Sequence, residues 1–325
     1  MTPGLNTGLL ASVSRSFYLS LRFLPGPVRA PLSLSYLLAR AADTIADNPA
    51  HTPALDPARL LEEMHDLLAT GDHSRMDAVQ GFCEKAAAFA AGVTHEGERC
   101  LLQRMAECFT ALAATPDPAA MLIRRVLDLI IRGQRLDLQR FTPGTLHALT
   151  TESELEEYTW LVAGCVGEFW TDICAVQLPG FSSLPVVEMR SLGLAYGKGL
   201  QLINILRDQP KDIAAGRCYL PLTALRAAGI SGPDWPCPDW PAWHAVRRPW
   251  LILARQRMDA GMTYVRHLRS FRLRFAAVLP LLIGRATLDL LDAQPHDAPP
   301  ATAKVTRPVI KRLMLRALKV SILGH

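Results

Sequence analysis

Two pairs of aspartates in this chain have the spacing of metal ligands, and the first pair lies in the segment SLSYLLARAADTIADN. Asp43 and Asp47 are four residues apart, so on a helix both carboxylates project from one face, about 6 Å apart along the axis. Like charges held beside a mostly apolar surface repel each other unless a cation lies between them. Carboxylates of this kind suit Mg²⁺, which binds one or two of them together with waters and substrate phosphates. A solvated helix face without a ligand is the alternative for one isolated pair.

A second acidic segment, YGKGLQLINILRDQPKDIAAGRCYLP, repeats this chemistry. Asn204, Asp208 and Asp212 stand at i, i+4 and i+8, which places three oxygen ligands on one helical stripe. Pro210 lies inside the stripe and could end the helix at Gln209, because proline lacks an amide N–H and disfavours helix in the residue before it. Asp212 is therefore the least secure of the five ligands.

Arginines adjoin both stripes, Arg40 three residues before Asp43 and Arg207 next to Asp208. A guanidinium group suits phosphate because its planar fork can bind two oxygens at once. The alternative for each arginine is an ion pair with the neighbouring aspartate. Together, the stripes and arginines indicate an enzyme that uses Mg²⁺ on a phosphorylated substrate.

The elements that carry these residues are predicted to be helices. Apolar residues recur at three- and four-residue steps, and alternating strand patterns are nearly absent. Several helices are apolar nearly all round, which favours one large all-α bundle, a single domain over 1–325. The segment 231–243 is predicted to be an irregular surface loop or a lid, because it contains four prolines and three tryptophans. The predicted helices cover residues 34–47, 60–68, 82–91, 100–114, 121–131, 152–176, 186–206, 250–268 and 275–291.

Composition and motifs exclude several other classes of protein. Half the residues are hydrophobic and 20% are charged, as in a folded globular protein. Seven cysteines without a C-x-x-C pair indicate neither a disulfide framework nor a zinc site, and favour a reducing cytosol. No phosphate-binding loop, dinucleotide fingerprint, G-x-S-x-G or H-E-x-x-H motif is present. No stretch reaches the ~18 uncharged apolar residues that span a bilayer, so we expect a cytoplasmic protein.

The chain carries a formal charge of +5, and its C-terminus is a basic tail from about residue 298. After Asp297 there is no acidic residue, while six cations follow. No aromatic residue is interleaved with them, which argues against a nucleic-acid partner. Peripheral contact with the inner face of a membrane is compatible with this tail.

Four motifs resemble those of the squalene and phytoene synthase family, whose members join two prenyl diphosphates head to head. They are Ser14-Arg15-Ser16-Phe17, then YLLARAADTIAD, then Tyr158 before VAGCVG, and finally QLINILRDQPKDIAAGRCYLP, in the family's order over residues 14–221. The resemblance implies an isoprenoid-synthase fold with a central cavity, where several Mg²⁺ ions hold the departing diphosphate. One departure is Ala46, where the family commonly has an acidic residue.

The resemblance also implies a role for each matching residue. Tyr158 would assist the proton transfer that closes a cyclopropane; on the sequence alone it would be interpreted as a core tyrosine with a bonded hydroxyl. The catalytic group would comprise Tyr158, Asp43, Asp47 and Asp208. The metal ligands would be Asp43, Asp47, Asn204, Asp208 and Asp212. The substrate-binding residues would be Ser14, Arg15, Tyr36, Arg40, Gln201, Asn204, Arg207 and Arg217.

The last step of the reaction depends on the basic tail. The segment AKVTRPVIKRLM resembles the region where squalene synthases bind the NADPH phosphates, which indicates Lys304 and Arg307 as cofactor-binding residues. The alternative is a basic membrane-facing helix on which four apolar residues are aligned, Val309, Leu313, Ala317 and Val320.

We therefore predict a squalene synthase that converts two farnesyl diphosphates to presqualene diphosphate and then, with NADPH, to squalene. A phytoene or dehydrosqualene synthase without reduction is the nearest alternative, followed by a synthase that stops at presqualene diphosphate or hydroxysqualene. The non-enzyme alternative is a helical scaffold that docks on membranes. The sequence predicts neither the oligomeric state nor the prenyl chain length.

Overall fold

The computed structural model describes residues 8–14, 17–48, 52, 55–70, 76–141, 144–230 and 239–323, and within them the chain is helical almost throughout. This confirms the all-α prediction. A short 3₁₀-helix spans Ala90–Gly92 and a π-helix spans Trp160–Gly164. The α-helices are α1 (Leu10–Val13), α2 (Phe17–Phe23), α3 (Gly26–Asp47), α4 (Pro57–Thr70), α5 (Met76–Phe89), α6 (Glu96–Gln103), α7 (Met105–Ala113), α8 (Ala119–Arg140), α9 (Glu152–Thr159), α10 (Cys165–Gln177), α11 (Val186–Ala214), α12 (Leu222–Ala227), α13 (Trp240–His267), α14 (Phe271–Asp292) and α15 (Arg307–Leu323).

Two strands of two residues each, β1 (His147–Ala148) and β2 (Arg217–Cys218), form the sheet structure of the described residues. They pair in parallel, with His147 opposite Arg217. The pairing fixes the chain that leaves α11 beside the chain that enters α9.

The start of α13 corrects the prediction for the segment 231–243. Residues 231–238 lie outside the described residues, but Trp240 already begins a regular helix. The Asp239 carboxylate accepts from the Ala242 N–H at 3.0 Å, and Pro241 stands in the first turn, where an amide N–H has no helical partner in any case. A proline-rich sequence is therefore compatible with a helix start at this position.

The chain divides into two compact units. The first unit comprises Met1–Leu138 and Phe169–Phe181, and the second comprises Gln139–Glu168 and Ser182–His325. In the first unit α3 is the central element, and α1, α2, α4, α6 and α7 pack against it. Its buried residues recur around most of the helix and are mainly apolar, which explains why α3 is rich in Leu and Ala before its acidic end.

In the second unit α11 is the central element, packed against α9, α13 and α14. Glycines let α11 approach the VAGCVG segment closely. A Cβ added to Gly197 would lie 2.2 Å from the Ala163 carbonyl oxygen, and one added to Gly167 would lie 1.9 Å from the Gly193 oxygen. The glycines therefore serve helix packing, as their positions in the sequence indicate.

Helix α14 of the second unit contains the apolar run 275–284, which includes Pro280. Among the described residues, none of the helices is long and apolar enough to cross a membrane.

Candidate active site

The first acidic stripe lies at the C-terminal end of α3. Asp43 is half-buried, and its carboxylate accepts from the Gln134 amide Nε2 of α8 at 2.5 Å. Arg40 Nη1 lies 3.8 Å from Asp43 Oδ2. Asp47 is the last residue of α3 and is exposed. The stripe therefore runs from a recessed carboxylate to a solvated one.

Burial raises the pKa of Asp43 to about 7, an effect that Arg40 opposes and the negative charge of Asp47 reinforces. A carboxylate in this state binds protons near neutral pH unless a cation compensates its charge. Two carboxylates that repel each other, such as Asp43 and Asp47, fit a divalent ion. The ion neutralises their negative charge and displaces the proton from Asp43. Among the described residues, no three His, Cys, Asp or Glu side chains form a metal cluster by themselves, so waters and substrate phosphates would have to complete the coordination of any ion here.

Three other predicted substrate-binding residues precede this stripe. Tyr36 donates its hydroxyl hydrogen to the Val13 carbonyl oxygen at 3.3 Å, and the buried Ser14 hydroxyl donates to the Leu10 oxygen. Both hydroxyls thus bond to main-chain carbonyl oxygens of α1. Arg15 lies outside the described residues, and the roles of all three in substrate binding stay predictions.

The arginine of the first stripe has two acidic neighbours. Besides Asp43, Arg40 approaches the Glu98 carboxylate of α6, with 3.8 Å between Nε and Oε1. Both distances are at the limit of an ion pair, and Arg40 Nε has no hydrogen-bond acceptor. The guanidinium therefore keeps donor capacity that a phosphate oxygen could use.

The second acidic stripe lies on the last three turns of α11. Arg207 forms two bonds to Asp208, Nε to Oδ1 at 2.8 Å and Nη2 to Oδ2 at 2.5 Å. The Asn204 amide donates to Gln201 Oε1 at 3.3 Å. A carboxylate has about four acceptor sites, so Asp208 retains lone pairs for a cation while Arg207 is bound. Arg207 therefore forms the ion pair with Asp208 that was the alternative to phosphate binding. Asp208 can still offer oxygens to a metal ion.

The helix does not end at Gln209, because α11 continues through Pro210 to Ala214. Proline leaves the carbonyl four residues earlier, that of Leu206, without its helical donor. The fully buried Arg247 of α13 reaches this carbonyl, with Nη2 3.5 Å from the Leu206 oxygen. Because α11 continues to Ala214, Asp212 keeps its helical register with Asp208, which corrects the expected helix end at Gln209; the role of Asp212 as a ligand stays a prediction.

Tyr158 lies near the end of α9 and is buried. Its hydroxyl donates to the Tyr219 hydroxyl oxygen at 3.3 Å, and the two rings stack with centroids 4.8 Å apart. Phe141 packs edge-on against Tyr219 at 5.2 Å. The π-helix Trp160–Gly164 follows Tyr158 directly, and such bulges are frequent at functional sites. The bonded hydroxyl matches the core-tyrosine interpretation, and the role of Tyr158 in proton transfer stays a prediction.

The remaining predicted residues lie elsewhere in the second unit. Arg217 is in β2 and half-buried. Lys304 lies in the segment before α15 and Arg307 is the first residue of that helix; both are exposed. The predicted membrane-facing stripe of α15 is wrong in its orientation. Ala317 is fully buried and Val309, Leu313 and Val320 are half-buried, because α15 packs this side against α14.

Sequence reasoning missed several residues that contact these side chains directly but lie far from them in the sequence. Tyr219 stands in the quoted RCYLP segment and could have been singled out there. No sequence pattern indicates Gln134 or Arg247, since each contacts a residue far away in the sequence. Glu156 of α9 is a further case, because it binds both Lys198 of α11 and Arg257 of α13.

The chain matches the family model described as squalene/phytoene synthase over residues 10–311. It is 30% identical over 223 residues to a bifunctional lycopene cyclase/phytoene synthase of Phaeosphaeria nodorum, covering 67% of this chain and 34% of that protein. The protein of the same name from Blakeslea trispora is 29% identical over 220 residues, covering 67% and 32%. The chain thus spans about a third of the length of these relatives.

Solved structures share the fold. A ligand complex of TcSQS, a squalene synthase, matches 97% of this chain and 89% of its own with a TM-score of 0.71 at 21% identity. A dehydrosqualene synthase with a bound ligand matches 99% and 98% with a TM-score of 0.62 at 16% identity. These likenesses confirm the isoprenoid-synthase helical fold. With the family model matching most of its length, the chain belongs to the squalene/phytoene synthase family.

Proposed function

We propose that this protein is a Mg²⁺-dependent head-to-head prenyl diphosphate synthase that completes its reaction without reduction, as phytoene and dehydrosqualene synthases do. The family match carries the proposal, because residues 10–311 include both acidic stripes and Tyr158. The curated relatives named phytoene synthases support the non-reductive outcome over the squalene synthase predicted from the tail. The proposed substrate is a pair of identical prenyl diphosphates.

Each acidic stripe has a definite part in this proposal. Asp43 and Asp47, and likewise Asn204, Asp208 and Asp212, present oxygens to Mg²⁺. The bound ions supply the positive charge that stabilises the departing diphosphate. Arg40 and Arg207 stand beside the stripes and donate N–H groups to the phosphate oxygens. Loss of diphosphate from one substrate lets its C1 bond to the double bond of the other, and a proton must leave as the cyclopropane closes.

Tyr158 is proposed to handle this proton. A phenol of ordinary pKa, ~10, is a weak base alone. Its hydroxyl already donates to Tyr219, so the Tyr158 oxygen can accept a proton while its own passes to the Tyr219 oxygen, and Tyr219 in turn gives its hydroxyl proton to the released diphosphate. The second diphosphate then leaves, and loss of another proton gives a hydrocarbon without a hydride donor.

The test is incubation with farnesyl or geranylgeranyl diphosphate, with and without NADPH, followed by product identification and measurement of released diphosphate. We expect a hydrocarbon without NADPH and no release after Mg²⁺ is chelated. Squalene formed only with NADPH would instead restore the reductive assignment with Lys304 and Arg307. No diphosphate release under any condition would support the non-enzyme scaffold.

Variants test the ligand assignment. Asp43→Asn and Asp208→Asn should each abolish diphosphate release with an unchanged circular dichroism spectrum. Asp289→Asn, which loses an exposed ion pair to Arg255, is the matched control and should retain activity. Near-normal turnover of either stripe variant contradicts the metal assignment.

A further inference from the structure

The C-terminal helix α15 is held against the second unit in a fixed orientation. Its small residues Ala317 and Ser321 are buried on the side that packs against α14. Arg274 of α14 donates to the Ser321 carbonyl oxygen at 3.1 Å, which satisfies an acceptor in the last turn. Because one side is fixed in this way, the opposite side of α15 faces outward.

This outward side has its own apolar row. Leu315, Leu318 and Ile322 are 70%, 39% and 64% exposed. Their spacing of i, i+3 and i+7 places them on one stripe of the helix. Exposed Lys311, Arg312 and Lys319 lie along the same side, and no acidic residue follows Asp297 in the chain. We name these six residues the outward face of α15.

An arginine pocket adjoins the outward face. Arg316 of α15, Arg266 of α13 and Arg285 of α14 line it together with Asp259. Arg285 Nη2 binds Asp259 Oδ1 at 2.5 Å, so one carboxylate offsets one of three guanidinium groups. Neither Arg266 nor Arg316 has an ion-pair partner among the residues that the structure describes. The pocket therefore has a net positive charge and unused N–H donors.

The geometry points to the outward face of α15 as a docking surface for an anionic phospholipid bilayer. Exposed aliphatic side chains flanked by lysine and arginine on one helix side are the pattern of helices that lie in a membrane interface. The aliphatic row enters the acyl region, while the flanking cations and the arginine pocket bind the anionic headgroups. An acidic protein partner would satisfy the cations but would leave the three exposed aliphatic residues without a comparable apolar phase. This inference does not depend on the proposed catalytic activity.

Vesicle co-sedimentation of the full chain tests the inference. We expect binding to phosphatidylcholine vesicles that contain about 30 mol% phosphatidylglycerol, little binding to pure phosphatidylcholine, and weaker binding at high salt. Leu315→Ser with Ile322→Ser should weaken the partition coefficient by at least about a hundredfold, the order expected for the transfer of two aliphatic side chains. Lys311→Gln with Lys319→Gln should weaken it about 25-fold, at about fivefold for each cation.

The matched control replaces two apolar residues that are equally exposed elsewhere, Val187→Ser with Met121→Ser, at 74% and 61% exposure. This control should bind vesicles as the parent chain does. Circular dichroism checks that each variant folds; if the serine pair does not, the glutamine pair decides, because both lysines are exposed.

Three outcomes would overturn the inference. The first is no binding of the parent chain to anionic vesicles at low salt. The second is a loss of vesicle binding in the control variant equal to that of the Leu315→Ser, Ile322→Ser variant. The third is a dimer in sedimentation velocity that the Leu315→Ser, Ile322→Ser variant does not form. The last outcome would make the outward face an interface between two copies.

Discussion

Glu156 is the residue whose replacement tests most directly how the Tyr158-bearing helix is held. Its carboxylate on α9 accepts from Arg257 Nη2 of α13 at 2.6 and 2.8 Å and also from Lys198 Nζ of α11. The side chains of Lys198 and Arg257 are only 13% and 12% exposed, whereas that of Glu156 is 35% exposed. One partly exposed carboxylate thus compensates two nearly buried cations.

The change Glu156→Gln keeps the shape of the side chain and removes its charge. Removing one partner of a buried ion pair costs about 3–5 kcal/mol, because the remaining charge stays desolvated. The exposure of Glu156 screens part of this, and the glutamine oxygen can still accept one hydrogen bond, so we expect a loss of about 2 kcal/mol. At about 2 °C per kcal/mol for a chain of this size, Tm falls by about 4 °C.

The assay is thermal unfolding of the parent chain and of Glu156→Gln over a range of pH. The two cations hold the pKa of Glu156 below its usual value against the opposing effect of burial, which is the largest single influence. A lowered pKa in the folded state gives stability that is present above the unfolded pKa of about 4.5 and is lost as the pH falls through the folded value. The difference in Tm should therefore be full at pH 7 and shrink in acid.

Glu157→Gln is the control, since Glu157 is bonded to Arg140, a partly exposed neighbour, and lies on the same helix. Its effect should stay below about 1 kcal/mol. At about 2 °C per kcal/mol, a Tm for Glu156→Gln within 1 °C of the parent at pH 7 would be too small a change. It would refute the claim that Glu156 stabilises the fold by offsetting the charges of Lys198 and Arg257. A difference in Tm that does not change with pH would refute its electrostatic origin.

Three further predictions concern packing, proton transfer and ligand protonation. Gly197→Ala should lower the unfolding free energy by about 2 kcal/mol in a denaturant titration because its Cβ would meet a backbone oxygen, whereas Gly81→Ala, with open space around it, should stabilise by up to about 1 kcal/mol. Tyr158→Phe should slow condensation at least tenfold in single-turnover measurements while the melting curve changes little, and an unchanged rate would leave it a core tyrosine. Gln134→Leu removes a hydrogen bond that lowers the pKa of Asp43, so the Mg²⁺ concentration for half-maximal diphosphate release should rise, and more at pH 6.5 than at pH 8.5; equal effects at both would contradict the role of Gln134.

The helices were predictable from the sequence because their apolar periodicity is strong over long segments, as in α11 and α14. Their ends were less predictable. The start of α13 depends on one capping carboxylate and one proline in the first turn, which override the general rule against proline in helices.

The orientation of α15 illustrates a second limit of the sequence pattern. Both the row with Ala317 and the row with Leu315 have helical spacing, so periodicity alone favours neither as the buried side. Ala317 and Ser321 are small enough to let α15 approach α14 closely, and this decides which row is buried. The larger aliphatic residues then remain outside.

The acidic stripes show why the types of ligand could be predicted from the sequence, whereas the protonation of Asp43 and the continuity of α11 could not. The oxygens of Asp43 and Asp208 follow from local spacing. The proton affinity of Asp43, however, is raised mainly by burial and is lowered in part by the hydrogen bond from Gln134, which is 91 residues away in the sequence. The continuity of α11 past Pro210 involves Arg247, which is 41 residues from the Leu206 carbonyl it contacts. A buried guanidinium costs free energy, and burial lowers the pKa of Arg247 to about 10, but its donors serve a carbonyl that proline leaves without a helical partner. Helix α11 thus continues to Ala214 beside this guanidinium, and Asp212 stays in register with Asp208 although the sequence of the stripe contains a proline.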